Sequence, residues 1–119
     1  MPDRPKRILI VDDEPDLLRL LSLFIGSKGW DVVAVTNGQE ALGVFEAGKF
    51  DVLLADVDLD DEVDGIFVAK TLLSSDPNLK IVMMSGKPHN AQKVREANLG
   101  AFMSKPFEFP QIGSLLCLG

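Results

Sequence analysis

The stretch FDVLLADVDLDDEVDG, from Phe50 to Gly65, decides the fold of this chain. Its apolar run Val52-Leu53-Leu54-Ala55 has the length of one strand buried on both faces, as in the centre of a parallel sheet. Acidic residues begin where the apolar run ends, and the first of them is Asp56. Because ligands bind beyond the carboxyl ends of strands in such sheets, we predict a ligand site at Asp56. A solvated acidic turn before a helix is the alternative, and this stretch alone supports both about equally.

The composition is that of one soluble domain. The chain has 119 residues, 46% hydrophobic and 25% charged, which is enough for a single core. No apolar run could cross a bilayer and residues 1–7 do not resemble a signal peptide, so we expect a cytoplasmic protein without membrane contact. The net charge of −6, with no visible basic patch, argues against nucleic-acid binding. The single cysteine, Cys117, excludes an internal disulfide and is expected to pack in an apolar segment.

Strand and helix patterns alternate on both sides of the opening stretch. Strands are predicted over residues 6–11, 31–35, 52–55, 79–84 and 101–103. Helices are predicted from Pro15 to Gly29, from Thr36 or Asn37 to Gly48, from Gly65 to Ser75, from about Pro88 to Asn98, and within residues 107–119. On the first helix, Leu20 and Leu23 widen the apolar face beyond what a core needs, which indicates either extra packing or a partner surface.

This alternation predicts an α/β fold, a doubly wound five-stranded parallel sheet flanked by five helices. Right-handed crossovers and the short chain favour the strand order 2-1-3-4-5. The switch point of that order lies between strands one and three. Asp12 and Asp13, at the end of the first strand, are therefore predicted to lie beside Asp56.

The polar residues at the strand ends indicate phosphoryl chemistry. They are Asp12 and Asp13 on the first strand, Asp56 on the third, Ser85 on the fourth and Lys105 on the fifth. Close carboxylates repel by roughly 4 kcal/mol per pair at an effective dielectric near 20, so this site is expected to need a cation. Oxygen ligands favour Mg²⁺ over zinc. A carboxylate beside a metal and a lysine is suited to accept a phosphoryl group, to which Ser85 would offer a hydroxyl donor.

Four segments in order resemble the motifs of receiver domains of two-component response regulators. They are Val11-Asp12-Asp13-Glu14, Leu54-Ala55-Asp56, Met83-Met84-Ser85-Gly86 and Ser104-Lys105-Pro106. The resemblance covers essentially the whole chain. It implies a CheY-like, flavodoxin-like fold in which residues 1–119 form one receiver domain, a signalling module and not an enzyme.

The resemblance also implies the chemistry. Asp56 would take a phosphoryl group from a sensor histidine kinase or a histidine phosphotransfer protein. Mg²⁺ would be bound by Asp13 directly and by Asp12 through water, and Asp56 and the backbone carbonyl of Asp58 would complete the site. Lys105, joined to Pro106 by a cis bond, would pair with the phosphoryl oxygens.

The switch is implied in the same way. Ser85 would move to the phosphoryl oxygen and Phe102, at the aromatic switch position, would turn inward behind it. Asp58 and Lys87 would flank the site and modulate the lifetime of the acyl phosphate. The signal would be a population shift of the fourth helix, fifth strand and fifth helix, read by an output protein or domain that the sequence does not identify.

The chain departs from the family pattern at several positions. Asp60 stands where the family usually has a proline, and Gly65 falls one place late, so the loop carries an insertion and extra acid. That charge is expected to tighten Mg²⁺ binding and to slow an anionic donor. Phe102 lacks the hydroxyl of the commoner tyrosine. The segment after Glu108 lacks the charges that pair across familiar dimers, which argues against a homodimer through that face and leaves other homodimers open.

Two other functions remain as alternatives. A pseudo-receiver would keep the fold as a binding module without phosphate chemistry. A haloacid-dehalogenase-type phosphohydrolase would use Asp56 as nucleophile and Asp58 as acid, but this motif normally lies near the N-terminus. An EF-hand counted from Asp56 is excluded, because Asp61 and Phe67 stand where it needs glycine and glutamate.

Overall fold

The computed structural model describes residues 5–59 and 63–118. Strands and helices alternate in them as β1 (Arg7–Val11), α1 (Pro15–Gly26), β2 (Asp31–Val35), α2 (Gly38–Val44), β3 (Val52–Asp56), α3 (Gly65–Ser75), β4 (Lys80–Ser85), α4 (Asn90–Glu96), β5 (Ala101–Ser104) and α5 (Phe109–Leu116). The five strands form one parallel sheet in the order β2-β1-β3-β4-β5. The predicted fold class and strand order are confirmed.

Strand β3 is buried along its whole length because helices cover both faces of the sheet. Leu53 and Ala55 point into a core that includes buried side chains of α2, α3 and α4. Val52 and Leu54 point into a second core, completed by α1 and α5. The continuous apolar run thus serves two layers, since successive side chains of a strand face opposite ways.

The register of the sheet brings the strand ends to one edge. Val11 pairs with Ala55, so the residues that follow β1 lie beside the end of β3. Asp56 pairs with Met84 on β4, and Ser85 pairs with Ser104 on β5. The predicted strands end one residue before Asp56 and one before Ser85. In the structure, Asp56 and Ser85 are the last residues of β3 and β4. The polar residues of four strands therefore meet at the carboxyl edge.

Three helices are shorter than predicted. Helix α1 ends at Gly26, and a turn leads to Gly29 at φ +89°. Helix α2 ends at Val44, because Phe45 takes an extended conformation and stacks on Phe50 at a centroid distance of 5.5 Å. Helix α4 covers only Asn90–Glu96 of the predicted span, and the chain leaves it through a left-handed residue, Asn98 at φ +57°.

The environments of several apolar side chains differ in part from expectation. Leu20 and Leu23 are 47% and 65% exposed, which favours the partner surface over extra packing. On α3, Val68 and Ala69 are fully buried. The apolar surroundings of Cys117 in the sequence predict packing, but this residue is exposed, because it caps α5 in the left-handed conformation.

Among the residues that the structure describes, no helix combines the length and apolar character that a bilayer crossing requires. The departure at Asp60 and the extra acidic residues beside it lie outside the described residues.

Gly65 is where the backbone is most tightly constrained near the strand ends. A Cβ atom at this position would lie 1.9 Å from the backbone oxygen of Asp56. The amide of Gly65 donates to the carbonyl of Val57 at 3.1 Å, which fixes the start of α3 against the end of β3. The close approach requires glycine.

We expect Gly65→Ala to lower the free energy of unfolding by about 2 kcal/mol or more, because the new methyl group collides with backbone and not with a flexible side chain. Gly43→Ala is the matched control. Gly43 lies in α2, and a Cβ atom added there would meet nothing within 4 Å, so the change should be neutral or stabilise by up to about 1 kcal/mol. Urea unfolding of both variants measures the difference, and equal midpoints would contradict the assigned contact.

Candidate functional site

Three carboxylates meet where β1 and β3 end. Asp12, Asp13 and Asp56 each offer an oxygen, and these oxygens lie within 4.8 Å of one another. Asp12 is fully buried, Asp56 is 4% exposed and Asp13 is half-buried. The predicted neighbourhood of these residues is therefore confirmed. Their hard oxygen ligands, with Asp13 open to solvent, fit a Mg²⁺ ion that keeps several of its waters.

One ammonium group compensates this acidic cluster. Lys105 Nζ lies 2.7 Å from Asp56 Oδ2, 2.8 Å from Asp12 Oδ2 and 2.9 Å from Glu14 Oε1. The side chain of Lys105 is only 13% exposed. It reaches the edge from the segment after β5, where the bond between Lys105 and Pro106 is cis, as the family resemblance implies.

The remaining oxygens of the buried carboxylates are held by the backbone. Asp12 Oδ1 accepts from the amide of Glu14 at 2.8 Å. Asp56 Oδ1 accepts from the amide of Asp58, also at 2.8 Å. Both bonds span two residues, so each turn positions the carboxylate that precedes it. With one oxygen on an amide and one on Lys105, neither carboxylate is free to rotate.

Burial and charge act in opposite directions on this cluster. Burial raises the pKa of Asp12 and of Asp56 above the ordinary value, although hydrogen bonds from Lys105 and from the backbone act to lower it. Burial acts to lower the pKa of Lys105, but the hydrogen bonds that its ammonium donates to Asp12, Asp56 and Glu14 outweigh burial and raise that pKa. Lys105 therefore stays charged, and a further cation would relieve the remaining repulsion between the carboxylates.

A second polar cluster adjoins the first through Asp58. Ser85 Oγ donates to Asp58 Oδ2 at 2.6 Å, and Lys87 Nζ lies 3.5 Å from Asp58 Oδ1. Asn90 Nδ2 contacts both oxygens of Asp58 at 3.2 Å and Ser85 Oγ at 2.9 Å. Burial acts to raise the pKa of Asp58, but the bond from Ser85, the charge of Lys87 and the bond from Asn90 together lower it. Asp58 is thus held as a carboxylate.

A cleft of about 620 Å³ opens over both clusters. It is lined by Asp13, Glu14, Leu17, Asp56, Asp58, Gly86, Lys87, Lys105, Pro106 and Phe107. The structure therefore brings seven of the eight predicted site residues to this edge: Asp12, Asp13, Asp56, Asp58, Ser85, Lys87 and Lys105. Phe102 does not line the cleft. It is half-buried on β5 and packs against the core shared by α2, α3 and α4.

Sequence reasoning misses two residues of the site. Glu14 ends the first family motif without a role of its own there, yet it is the third partner of Lys105. No motif singles out Asn90, although it is 1% exposed and bonded to two site residues. The one signal for Asn90 is a carboxamide at the start of a weakly apolar helix, five residues after Ser85.

The comparison with known families decides the assignment. The sequence pattern of the response regulator receiver domain matches residues 8–116. This chain belongs to that family.

The receiver domain has relatives of two kinds. It is 38% identical over 104 residues to the alkaline phosphatase synthesis transcriptional regulatory protein PhoP of Bacillus subtilis, covering 86% of this chain and 43% of PhoP. It is 34% identical over 106 residues to the chemotaxis protein CheY of Thermotoga maritima, covering 87% of this chain and 88% of CheY. The chain thus spans less than half of its relative PhoP but most of CheY.

Solved structures agree with the fold. The response regulator protein TrrA of Thermotoga maritima, in complex with Mg(2+)-BeF, superposes with a TM-score of 0.84 at 27% identity, covering 94% of this chain and 96% of TrrA. The chain is therefore a receiver domain of two-component signalling, a family whose members are generally signalling modules without enzymatic activity. The hydrolase alternative loses its support, since no haloacid-dehalogenase pattern is needed to explain Asp56.

We expect Asp13→Asn to raise the free energy of unfolding by about 1 kcal/mol in metal-free buffer, because it removes like charge beside Asp12 and Asp56. The matched control is Asp16→Asn on the same segment. Asp16 is exposed and lies 3.8 Å from Arg19 in the first turn of α1, so its loss should be neutral or slightly destabilising. Urea unfolding in the presence of a chelator measures both, and destabilisation by Asp13→Asn would contradict the repulsion.

Proposed function

We propose that this receiver domain accepts a phosphoryl group on Asp56 from a phosphohistidine of a sensor kinase or phosphotransfer protein. The observation that carries the proposal is the position of Asp56, whose buried carboxylate shares an edge with two further carboxylates and lies 2.7 Å from the ammonium of Lys105. A structural ion pair needs one acid for one lysine. The two additional acids, Asp13 at the cleft and Asp12 buried behind it, are better explained by a cation and an anionic ligand.

The reaction is a displacement at phosphorus. An oxygen of Asp56 forms a bond to the phosphorus atom, the bond between phosphorus and the imidazole nitrogen breaks, and the imidazole keeps the electron pair. The product on Asp56 is an acyl phosphate. Lys105 is near enough to Asp56 to pair with the oxygens of the transferred group, which stabilises charge that the carboxylate alone would repel.

The residues that would hold Mg²⁺ are Asp13, Asp56, Asp12 through water, and the backbone carbonyl of Asp58. When bound, the ion supplies positive charge that neutralises the acidic cluster and the phosphoryl oxygens. Asp12 is fully buried, and its two oxygens accept hydrogen bonds from Lys105 and from the Glu14 amide. These contacts oppose a large movement of Asp12 toward an ion. This favours an indirect role for Asp12 and a direct one for half-buried Asp13.

The signal would leave through the elements that follow the two phosphoryl-binding residues. Ser85 ends β4 and is followed by α4, and Lys105 follows β5 and precedes α5. A movement of either side chain toward a phosphoryl group would therefore shift α4, β5 and α5, and with β5 the half-buried Phe102. Asp58 and Lys87, which flank the cleft, would modulate the lifetime of the acyl phosphate.

We expect incubation with acetyl phosphate and Mg²⁺ to add the mass of one phosphoryl group to the wild-type chain, as measured by intact mass spectrometry. Asp56→Asn should add none, because an amide is not the nucleophile required. Asp31→Asn, an exposed residue at the start of β2, should behave as wild type. A chelator should abolish the addition.

Other outcomes of that experiment are equally informative. Addition of phosphate to Asp56→Asn would contradict the assigned acceptor. No addition to the wild type would favour the pseudo-receiver, and steady hydrolysis of a phosphate ester would favour an enzyme with turnover.

Helix α1 is the proposed docking surface for the phosphodonor protein. Leu20 and Leu23 expose apolar side chains on it. Beside them, a groove of about 350 Å³ between α1 and α5 is lined by Phe24, Lys28, Pro110, Gly113, Ser114 and Leu118. An apolar helix face next to the cleft suits a helical partner that must bring its histidine to Asp56.

We expect Leu20→Ala to slow phosphotransfer about tenfold when the donor is a kinase that phosphorylates the wild type. Truncating an apolar anchor of an interface has an effect of this size. The rate of this variant with acetyl phosphate should be unchanged, because Leu20 does not line the cleft. Val44→Ala is the matched control, since Val44 is an apolar side chain of comparable exposure on α2. Equal loss with both donors would contradict the docking surface.

A further inference from the structure

Asn90 is a buried polar residue to which neither the acceptor chemistry nor the family motifs assign a role. It is the first residue of α4 and one of only two buried residues in that helix, the other being Val94. Its side-chain amide lies 2.9 Å from Ser85 Oγ and 3.2 Å from each oxygen of Asp58. Asn90 thus joins α4 to the second polar cluster, which adjoins the acidic cluster at the cleft.

The hydrogen bonds of Ser85 leave its hydroxyl no spare capacity. A serine hydroxyl has one proton to donate and two lone pairs that accept. The proton is donated to Asp58 Oδ2 at 2.6 Å. The lone pairs accept from the side chain of Asn90 and, at 3.0 Å, from the backbone amide of Lys87.

A hydroxyl in this arrangement cannot also donate to a phosphoryl oxygen on Asp56. The hydroxyl has one proton, so its hydrogen bond to Asp58 must break before it can donate to another oxygen. Turning the hydroxyl away also breaks or weakens the bond from Asn90, which is fixed by its position in the helix. The energy needed to move Ser85 therefore depends on Asn90.

We propose that Asn90 and Asp58 form a latch on Ser85, which opposes the movement of its hydroxyl to the phosphoryl group and ties that movement to α4. Asn90 is a positioning residue in this proposal, since it acts through Ser85 and not on the phosphoryl group. The proposal rests on the proposed function, because the latch has meaning only if Asp56 carries the ligand toward which Ser85 moves.

The latch has a direct consequence for α4. With Ser85 on Asp58, the amide of Asn90 holds the first turn of α4 against the loop after β3. When Ser85 moves to the phosphoryl group, Asn90 loses its hydrogen bond to Ser85 and retains the one to Asp58. Helix α4 then has one buried hydrogen bond fewer to the rest of the domain. The hydrogen bond from Asn90 to Ser85 thus affects both the affinity for the phosphoryl group and the mobility of α4. Two properties that depend on one two-state contact are coupled to each other.

The test is a titration with beryllofluoride, which stands in for the phosphoryl group, in excess Mg²⁺. Removing the bond from Asn90 to Ser85 should make the competent arrangement more populated, so Asn90→Ala should bind beryllofluoride about fivefold more tightly than the wild type. Gln92→Ala is the matched control. It removes a carboxamide from the same helix, but one that is exposed and donates to Glu96 of that helix at 3.0 Å.

The same titration in a Ser85→Ala background separates positioning from a general structural role. If Asn90 acts through Ser85, adding Asn90→Ala to Ser85→Ala should change the affinity by less than about twofold. A fivefold gain that persists without Ser85 would overturn the latch. So would unchanged or weaker binding by Asn90→Ala alone, or an equal gain in Gln92→Ala.

A measurement on the wild type covers the case in which Asn90→Ala does not fold. Saturation with beryllofluoride should accelerate hydrogen exchange of the side-chain amide of Asn90, followed by NMR, while that of Gln92 stays the same. Unchanged exchange at Asn90 would overturn the latch. Failure of the wild type to bind beryllofluoride would instead overturn the proposed function, and the latch with it.

Discussion

The contact between one ammonium and the carboxylates at the edge of the sheet is the interaction on which the rest of this molecule depends. Lys105 comes from the end of the chain, Asp12 from its beginning and Asp56 from its middle, yet they lie within hydrogen-bond distance. Buried carboxylates are costly unless they are paired, so each strand must end at the right level for the cluster to be tolerated. The parallel order of the sheet meets this condition, because it gathers every carboxyl end on one side.

The surroundings of the cluster are rigid on one side and adjustable on the other. Gly65 packs closely on the carbonyl of Asp56, since a Cβ atom added to it would lie 1.9 Å from that oxygen. Backbone amides hold one oxygen of Asp12 and one of Asp56. By contrast, Asp58, Ser85 and Asn90 are joined to one another by side-chain hydrogen bonds. Bonds of this kind change partners by side-chain rotation alone and need no movement of the sheet. A ligand at Asp56 would therefore act on this second group.

The strands, the helices and the acidic site with Lys105 could be predicted from the sequence because each produces a local sequence pattern. Apolar runs of about four residues predict buried strands, and polar residues at their ends follow from the topology of parallel sheets. The helix ends were less accessible. Helix α2 stops early because Phe45 stacks on Phe50, and Cys117 is exposed because the chain turns there in a left-handed conformation. Both outcomes depend on contacts or dihedrals that no local pattern carries.

By itself, the sequence determined the α/β fold, the strand order and the acidic edge with its lysine, since period, length and chirality leave few other solutions. It also carried the four motifs of the receiver family. Only the tertiary structure decided that Glu14 shares Lys105, that Gly65 touches the carbonyl of Asp56, and that Asn90 bridges Ser85 and Asp58. The physical reason is range: hydrogen bonds and steric contacts act over a few Å, and folding alone determines which distant residues come that close.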